Sequence, residues 1–289
     1  MAQILFEELS TRLFSPRVWR GFAPPSAMGP LGSTFQCPSG NPAFGFFDDF
    51  HSFQATTLEG PYLTLETGGD GGITIEQIAD TAERKGLIAL NMDAGTAEDE
   101  AVIQWGRGLG APFKLTGKDL AFECCISVSA ITTSEWNIGV GLGDVGMGAT
   151  GAFFTSDDIF HANADFLGFV KLVAETGDWD GAYQDADGDY VDGATKTKLN
   201  ALATFTASVT TYKKLGFRYR AHPETVEWYV DGVMPGKGSS PAKLTAAECS
   251  VADTFPDDVF LAPILITHSQ AGNAALQVNM DWWACAQYE

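Results

Sequence analysis

Carboxylates on alternating residues are the densest chemistry in this sequence. In "DWDGAYQDADGDYVDG", residues 178–193, Asp185, Asp187, Asp189 and Asp192 fall within one short, Gly-containing polar stretch. Oxygen donors gathered this way suit a hard cation such as Ca2+. The stretch is not an EF-hand loop. Counting from Asp185, Tyr190 stands where Gly is required and Lys196 where Glu is required. These four aspartates are the expected metal ligands, and Ca2+ is the one cofactor the sequence suggests. Acidic turns are also ordinary in an acidic chain.

No other constellation points to catalysis. His51, His161, His222 and His268 stand singly, and no HExxH, GxSxG or Cys-His spacing occurs. Glu227, Tyr229 and Asp231 share one outward strand face. A solvated face is expected there, so no catalytic residue is assigned and the chain is not expected to be an enzyme. Gly141, Gly143 and Gly146 spell GxGxxG after the strand-like "WNIGV". The following "MGATGAFF" is a poor helix former, whereas a dinucleotide site needs a helix N-terminus at that point. Cys37, Cys124, Cys125, Cys249 and Cys285 are odd in number and lack a CxxC. They are expected to be buried hydrophobes of a protein made in a reducing cytoplasm.

The framework that must position such groups reads as β structure. The 289 residues include 32 Gly but only 19% charged residues, which suits short strands and tight turns. From Phe44 onward, short β-branched or aromatic runs such as "YLTLE", "EAVIQW" and "LAFECCISVSAI" alternate with Gly, Asp or Pro punctuation. That spacing predicts an antiparallel sandwich rather than a parallel α/β sheet. Helical turns are expected only in "TIEQIADTAERKG" (74–86) and near 192–203. In "KLGFRYRAHPETVEWYVDGV" (214–233), Phe217 and Tyr219 share one strand face, and Val226, Trp228 and Val230 share a face of the next. A turn around Pro223 and a reversal at Asp231-Gly232 complete that unit. In "ALQVNMDWWACA", strict alternation puts Leu276, Val278, Met280 and Trp282 in the core, with Trp283 outward against an arm or another subunit.

Seventeen basic residues against 37 acidic ones leave a net charge of −20. Such a surface repels nucleic acid and anionic lipid, so neither is an expected partner. No apolar run reaches membrane-spanning length. "MAQILFEELSTRLF" has no basic n-region and carries Glu7 and Glu8, which is not the pattern of a secretory signal.

Residues 1–44 differ from the remainder, holding six of the 13 prolines. This segment is expected to stay outside the sheets as a Pro-rich arm, with one short helix on Leu5, Leu9 and Leu13 before Pro16. The segment is too apolar for a solvated linker, so it packs either on its own domain or along another chain; on the second reading Leu5, Phe6, Leu9, Leu13, Phe14, Trp19 and Phe22, with Arg17 and Arg20, are its expected partner-binding residues. Residues 45–289 would form the sandwich body.

"TVEWYVDGV" resembles the strand and turn of laminin-G-like, concanavalin A-like jelly rolls. Two longer stretches, "AVIQWGRGLGAPFKLTGKDLAFECCISVSAITTSEWNIGVGLGD" and "FLAPILITHSQAGNAALQVNMDWWACAQ", resemble a group of tailed-bacteriophage virion proteins. The resemblance implies an all-β, antiparallel concanavalin A-like jelly-roll sandwich, here with an extended N-terminal arm. It further implies a virion structural protein, a capsid decoration or cement protein on the head exterior, synthesised in the host cytoplasm. Its partners would be the major capsid protein and, in a dimer or trimer, copies of itself. The acidic charge agrees with a place outside the DNA-filled shell. Binding only the expanded shell, through many small arm contacts, would stabilise that state by mass action. The alternative is a carbohydrate-binding module for host glycans, with Trp179 and Tyr183 as stacking platforms beside the acidic loop. A glycoside hydrolase ranks third, since no paired carboxylates sit at usable spacing.

Overall fold

The computed structural model describes residues 14–22, 28, 32–38, 40–50, 62–67, 74–80, 84–93, 99–106, 112–129, 136–144, 154, 164–173, 177–186, 190–237, 240–251, 253–269 and 275–288. Among the described residues the first elements are β1 (Ser33–Gln36), β2 (Pro42–Asp48), β3 (Tyr62–Thr67), β4 (Thr74–Asp80), β5 (Arg84–Met92) and β6 (Glu100–Trp105). It continues with β7 (Leu120–Val128), β8 (Trp136–Asp144), β9 (Phe166–Lys171), β10 (Asp178–Gln184), β11 (Ala203–Thr204) and β12 (Ser208–Ala221). The last elements are β13 (Glu224–Val230), β14 (Gly236–Lys237), β15 (Ser240–Pro241), β16 (Lys243–Leu244), the single turn α1 (Ala246–Cys249), β17 (Leu261–Ser269) and β18 (Leu276–Tyr288).

All pairings between these strands are antiparallel, and they form two large sheets. A nine-stranded sheet runs β1-β2-β18-β7-β12-β13-β16, with β5 also on β18 and β4 on β5. A seven-stranded sheet runs β11-β10-β9-β8-β17-β6-β3. Between them lies one core containing Phe46, Trp105, Phe122, Trp136, Trp179, Phe217, Trp228 and Trp283. Strand alternation fills this core from both sides, as in aligned sandwich packing. Val18, Met28, Ala121, Trp282 and Ala284 form a second cluster on the outer face of the nine-stranded sheet. Phe154, Ala164, Phe166, Val170 and Ile264 form a third on the outer face of the seven-stranded sheet.

The hairpin at 214–233 folds as its alternation predicts. Phe217 pairs with Trp228 and Tyr219 with Val226, and both pairs face the core. Asp231 and Gly232 both have positive φ (50° and 75°), the backbone a tight reversal requires.

Four expectations fail, each for a local physical reason. Residues 74–80 and 84–86 hold strand, not helix: Ile75 pairs with Leu90 and Gln77 with Ile88, so cross-strand contacts override the apparent helical pattern. Residues 192–203 run as successive turns into β11. The N-terminal segment does enter a sheet, and the expected boundary at 44/45 falls inside β2. Pro42 is the first residue of that strand, where a missing amide is tolerated. Pro38 lies in the β1–β2 turn, where the Cys37 amide donates to the Asn41 carbonyl at 2.9 Å. Finally, β18 shifts register between Met280 and Trp282. One extra residue inverts every later side chain. Trp283 therefore enters the inter-sheet core, stacked on Tyr62 at 5.8 Å, while Trp282 faces outward.

Of the GxGxxG glycines, Gly141 and Gly143 lie within β8, while Gly146 lies outside the described residues. A Cβ at Gly141 would lie 2.3 Å from the Leu167 carbonyl oxygen, and one at Gly168 the same distance from that of Val140. The glycines let β8 and β9 approach closely.

Candidate functional site

The expected partner-binding residues divide in the structure. Phe14, Trp19 and Phe22 are buried on the chain's own nine-stranded sheet, so they are not free for a partner. Arg17 and Arg20 remain exposed. Leu5, Phe6, Leu9 and Leu13, with the expected short helix, lie outside the described residues. Segment 14–22 is a strap of turns. Phe14 packs edge-on against Trp282 at 4.8 Å, and Phe22 stacks on Tyr288 at 4.7 Å. Its polar anchor is Glu123 on β7, whose Oε2 accepts the Trp19 indole N–H at 2.8 Å and the Ser15 amide at 3.0 Å. Burial pushes the Glu123 carboxyl up, against the two strap donors and the Lys214 charge, which pull it down. The apolar outer side of this sheet needed cover, and the chain supplies it in cis.

Trp179 and Tyr183 are core residues, 0% and 2% exposed, and cannot stack on a sugar. Trp179 lies 4.8 Å from the Phe205 ring, and Tyr183 lies 6.0 Å from that of Phe255. Their spacing of four, odd numbers both, is simply the inward face of β10.

The acidic stretch is rearranged too. Asp187 and Asp189 lie outside the described residues. Asp192 is engaged in a local turn: its Oδ1 accepts the Thr195 amide at 2.9 Å, and the Thr195 hydroxyl accepts its own amide at 3.0 Å. Asp185 instead meets two aspartates distant in sequence. One carboxylate oxygen from each of Asp165, Asp185 and Asp258 lies within 4.8 Å of the others. Strand order explains this: Asp165 precedes β9, Asp185 follows β10 and Asp258 precedes β17, all at one end of the seven-stranded sheet. Asp144 closes β8 at the same end. Burial, followed by repulsion from Asp185, Asp144 and Asp258, raises Asp165 to about 7, with the Ala186 amide opposing at 3.2 Å. These oxygen donors could hold a hard cation. A carboxyl near neutrality is also what a general acid needs, but Asp165 is 1% exposed and closed to a glycosidic oxygen. Sequence spacing could not reveal the triad. Of its three members only Asp185 lay in the acidic stretch the sequence singles out.

The outward face of β12 and β13 is not the solvated surface its pattern suggests. Glu227 and Tyr229 are 7% and 5% exposed. Glu227 accepts the Tyr229 hydroxyl at 2.8 Å and pairs with Lys243 at 3.3 Å and Arg220 at 3.7 Å. Burial alone would raise this carboxyl; the Tyr229 hydrogen bond and the two cations outweigh it and hold Glu227 below the usual range. A carboxyl so held is a poor proton donor. Asp231 is exposed and pairs with Lys213 at 2.9 Å.

No family model matches the chain, and no curated protein matches its sequence. Solved structures do share its architecture, which is that of the concanavalin A-like jelly-roll sandwiches. The carbohydrate recognition domain of Emp46p, as a point mutant, matches with a TM-score of 0.51 at 8% identity, over 82% of this chain and 94% of that one. A carbohydrate esterase, vb_24B_21, from the Shiga toxin-encoding bacteriophage phi24B matches at 0.45 and 16% identity, over 84% and 100%. Peanut lectin matches at 0.46 and 9%, over 85% and 97%. At such identities the likeness is one of fold.

Proposed function

We propose that this protein is a concanavalin A-like recognition module that binds carbohydrate without transforming it. The observation carrying this reading is how the sandwich closes. Its inter-sheet space is packed with aromatic side chains, one outer face is covered by the strap, and Phe154 and Ala164 join the cluster on the other. Recognition then falls to loops, rims and the outer strand positions that stay partly exposed, such as Arg220 and Lys243. The fold agrees, since the Emp46p domain of like architecture is named for carbohydrate recognition. A broad glycan array, probed in calcium and again in EDTA, tests it. Saturable binding to a defined glycan class is expected; silence in both buffers overturns the reading.

A second reading is favoured by the resemblance of two long stretches to tailed-phage virion proteins and by the charge of −20. In it the sandwich decorates the capsid exterior and meets the major capsid protein through its body, because strap residues 14–22 are occupied in cis. Co-sedimentation with expanded heads tests this, and failure to co-sediment at micromolar concentration refutes it. One molecule can serve both roles.

A further inference from the structure

Positive charge is scarce in this chain, yet three cations meet on the outward face of β12, β13 and β16. Arg218 stands opposite Glu227, Arg220 opposite Thr225, and Lys243 on the other side of Glu227. Opposed side chains in such a pair stand roughly 5 Å apart, and Arg218 and Arg220, two residues apart on one strand, roughly 7 Å. Two carboxylates, Asp119 and Glu227, answer the three cations. Arg218 reaches Asp119 at 3.3 Å, and Glu227 is shared between Arg220 and Lys243. One positive charge is left over in a protein of net charge −20.

The donors also outnumber the acceptors. Arg218 Nε, Arg220 Nε and Thr225 Oγ1 are buried and have no hydrogen-bond partner among the described residues. Arg218 and Thr225 are only 8% and 4% exposed. A buried donor without an acceptor is costly and is seldom left so in native proteins. Two guanidinium groups and a hydroxyl on one face supply several donors of the kind that bind a planar carboxylate or a tetrahedral sulfate. Arg220 and Lys243 keep 37% and 33% of their side chains in solvent, leaving the face approachable.

We infer that Arg218, Arg220, Thr225 and Lys243 form an oxyanion site that takes the carboxylate or sulfate group of an anionic glycan. This rests on the carbohydrate-binding reading and names its ligand class. An incoming oxyanion would first meet the exposed tips of Arg220 and Lys243, and would reach the buried unpartnered donors by displacing Glu227 from between those two cations. Binding should weaken as salt rises, because the tips of Arg220 and Lys243 are exposed.

The test is titration calorimetry of the full chain with a glucuronate-containing oligosaccharide, its carboxyl-reduced neutral counterpart and inorganic sulfate. The wild type should prefer the acidic sugar. Arg220→Gln and Thr225→Val should each weaken it by about tenfold, with circular dichroism showing both variants folded. Equal affinity for acidic and neutral sugars, unchanged in both variants, overturns this site while the carbohydrate reading stands. Binding of sulfate without either sugar overturns the glycan assignment and leaves a simple anion site. No binding of any probe overturns both.

Discussion

Replacing Trp19 with Ala should detach the strap without unfolding the sandwich. The indole is 6% exposed and packs between Phe14 and Phe22 at 6.3 and 6.2 Å, so its loss removes the centre of the strap's apolar contact. Trp→Ala substitutions at buried sites typically cost about 3–5 kcal/mol. The same change deprives Glu123 of a 2.8 Å donor, leaving a buried carboxylate with one strap hydrogen bond, from the Ser15 amide. Even 3 kcal/mol raises the open population more than a hundredfold. Trypsin reads this directly, because Arg17 and Arg20 lie in the strap and cleavage at low protease follows the open population. Cutting after Arg17 and Arg20, assigned by mass spectrometry, should accelerate about a hundredfold in Trp19→Ala, while the urea midpoint of the body shifts little. If wild type and variant are cut equally fast, docking of the strap on its own sheet is wrong and attachment to another chain becomes the better account.

Three further outcomes follow from the same geometry. Because burial holds Glu123 above its usual range, its contribution to strap docking is fully present below the unfolded value near 4.5 and is lost as pH rises through the raised folded value. Lys214 is the charge acting directly on Glu123; Arg218 and Arg220 from β12, Glu227 from β13 and Lys243 from β16 lie on the same outward face, and Arg17 and Arg20 stand exposed on the strap. Trypsin protection in the wild type should therefore fall from pH 5 to pH 8, and Glu123→Gln should flatten the profile; parallel profiles would refute this. Trp179→Ala should cost about 3–5 kcal/mol in urea denaturation, and a surface stacking role would instead leave stability unchanged. All five cysteines are buried; burial raises Cys124 and Cys285 well above the usual thiol range and Cys249 to about 12. An aromatic disulfide reagent should find no reactive thiol until denaturant is added, and rapid native labelling of any cysteine would contradict the structure.

The β12–β13 hairpin was legible because each of its signals is local. Alternation fixes which residues face the core, and the Asp231-Gly232 pair fixes the reversal. Each misreading comes from a feature that local pattern does not encode. Trp282 and Trp283 exchange places through one bulged residue, so the alternation that serves Val278 and Met280 fails two residues later. Pro42 and Pro38 read as barriers to a sheet, yet they occupy a strand's first residue and a turn, which are positions that need no amide. Trp179 and Tyr183 gain their burial from the nine-stranded sheet packed opposite, invisible from β10 alone.

The functional groups were hidden by the same cause. Asp165, Asp185 and Asp258 meet because β9 lies between β8 and β10 and β17 lies beside β8, an order no spacing within "DWDGAYQDADGDYVDG" contains. Arg218, Arg220 and Thr225 come from the stretch whose strands were read correctly, yet its polar face was read as ordinary solvated surface. Faces can be derived from period two, whereas the balance of donors and acceptors on a face depends on the neighbours across it. Glu227 is drawn to Tyr229, Arg220 and Lys243 at once, and Arg218 turns to Asp119. Only that accounting leaves two guanidinium Nε atoms and a threonine hydroxyl without acceptors among the described residues. In a chain this acidic, an unanswered cationic face is a stronger pointer to a ligand than another cluster of carboxylates, because acids are abundant by composition and surplus donors are not.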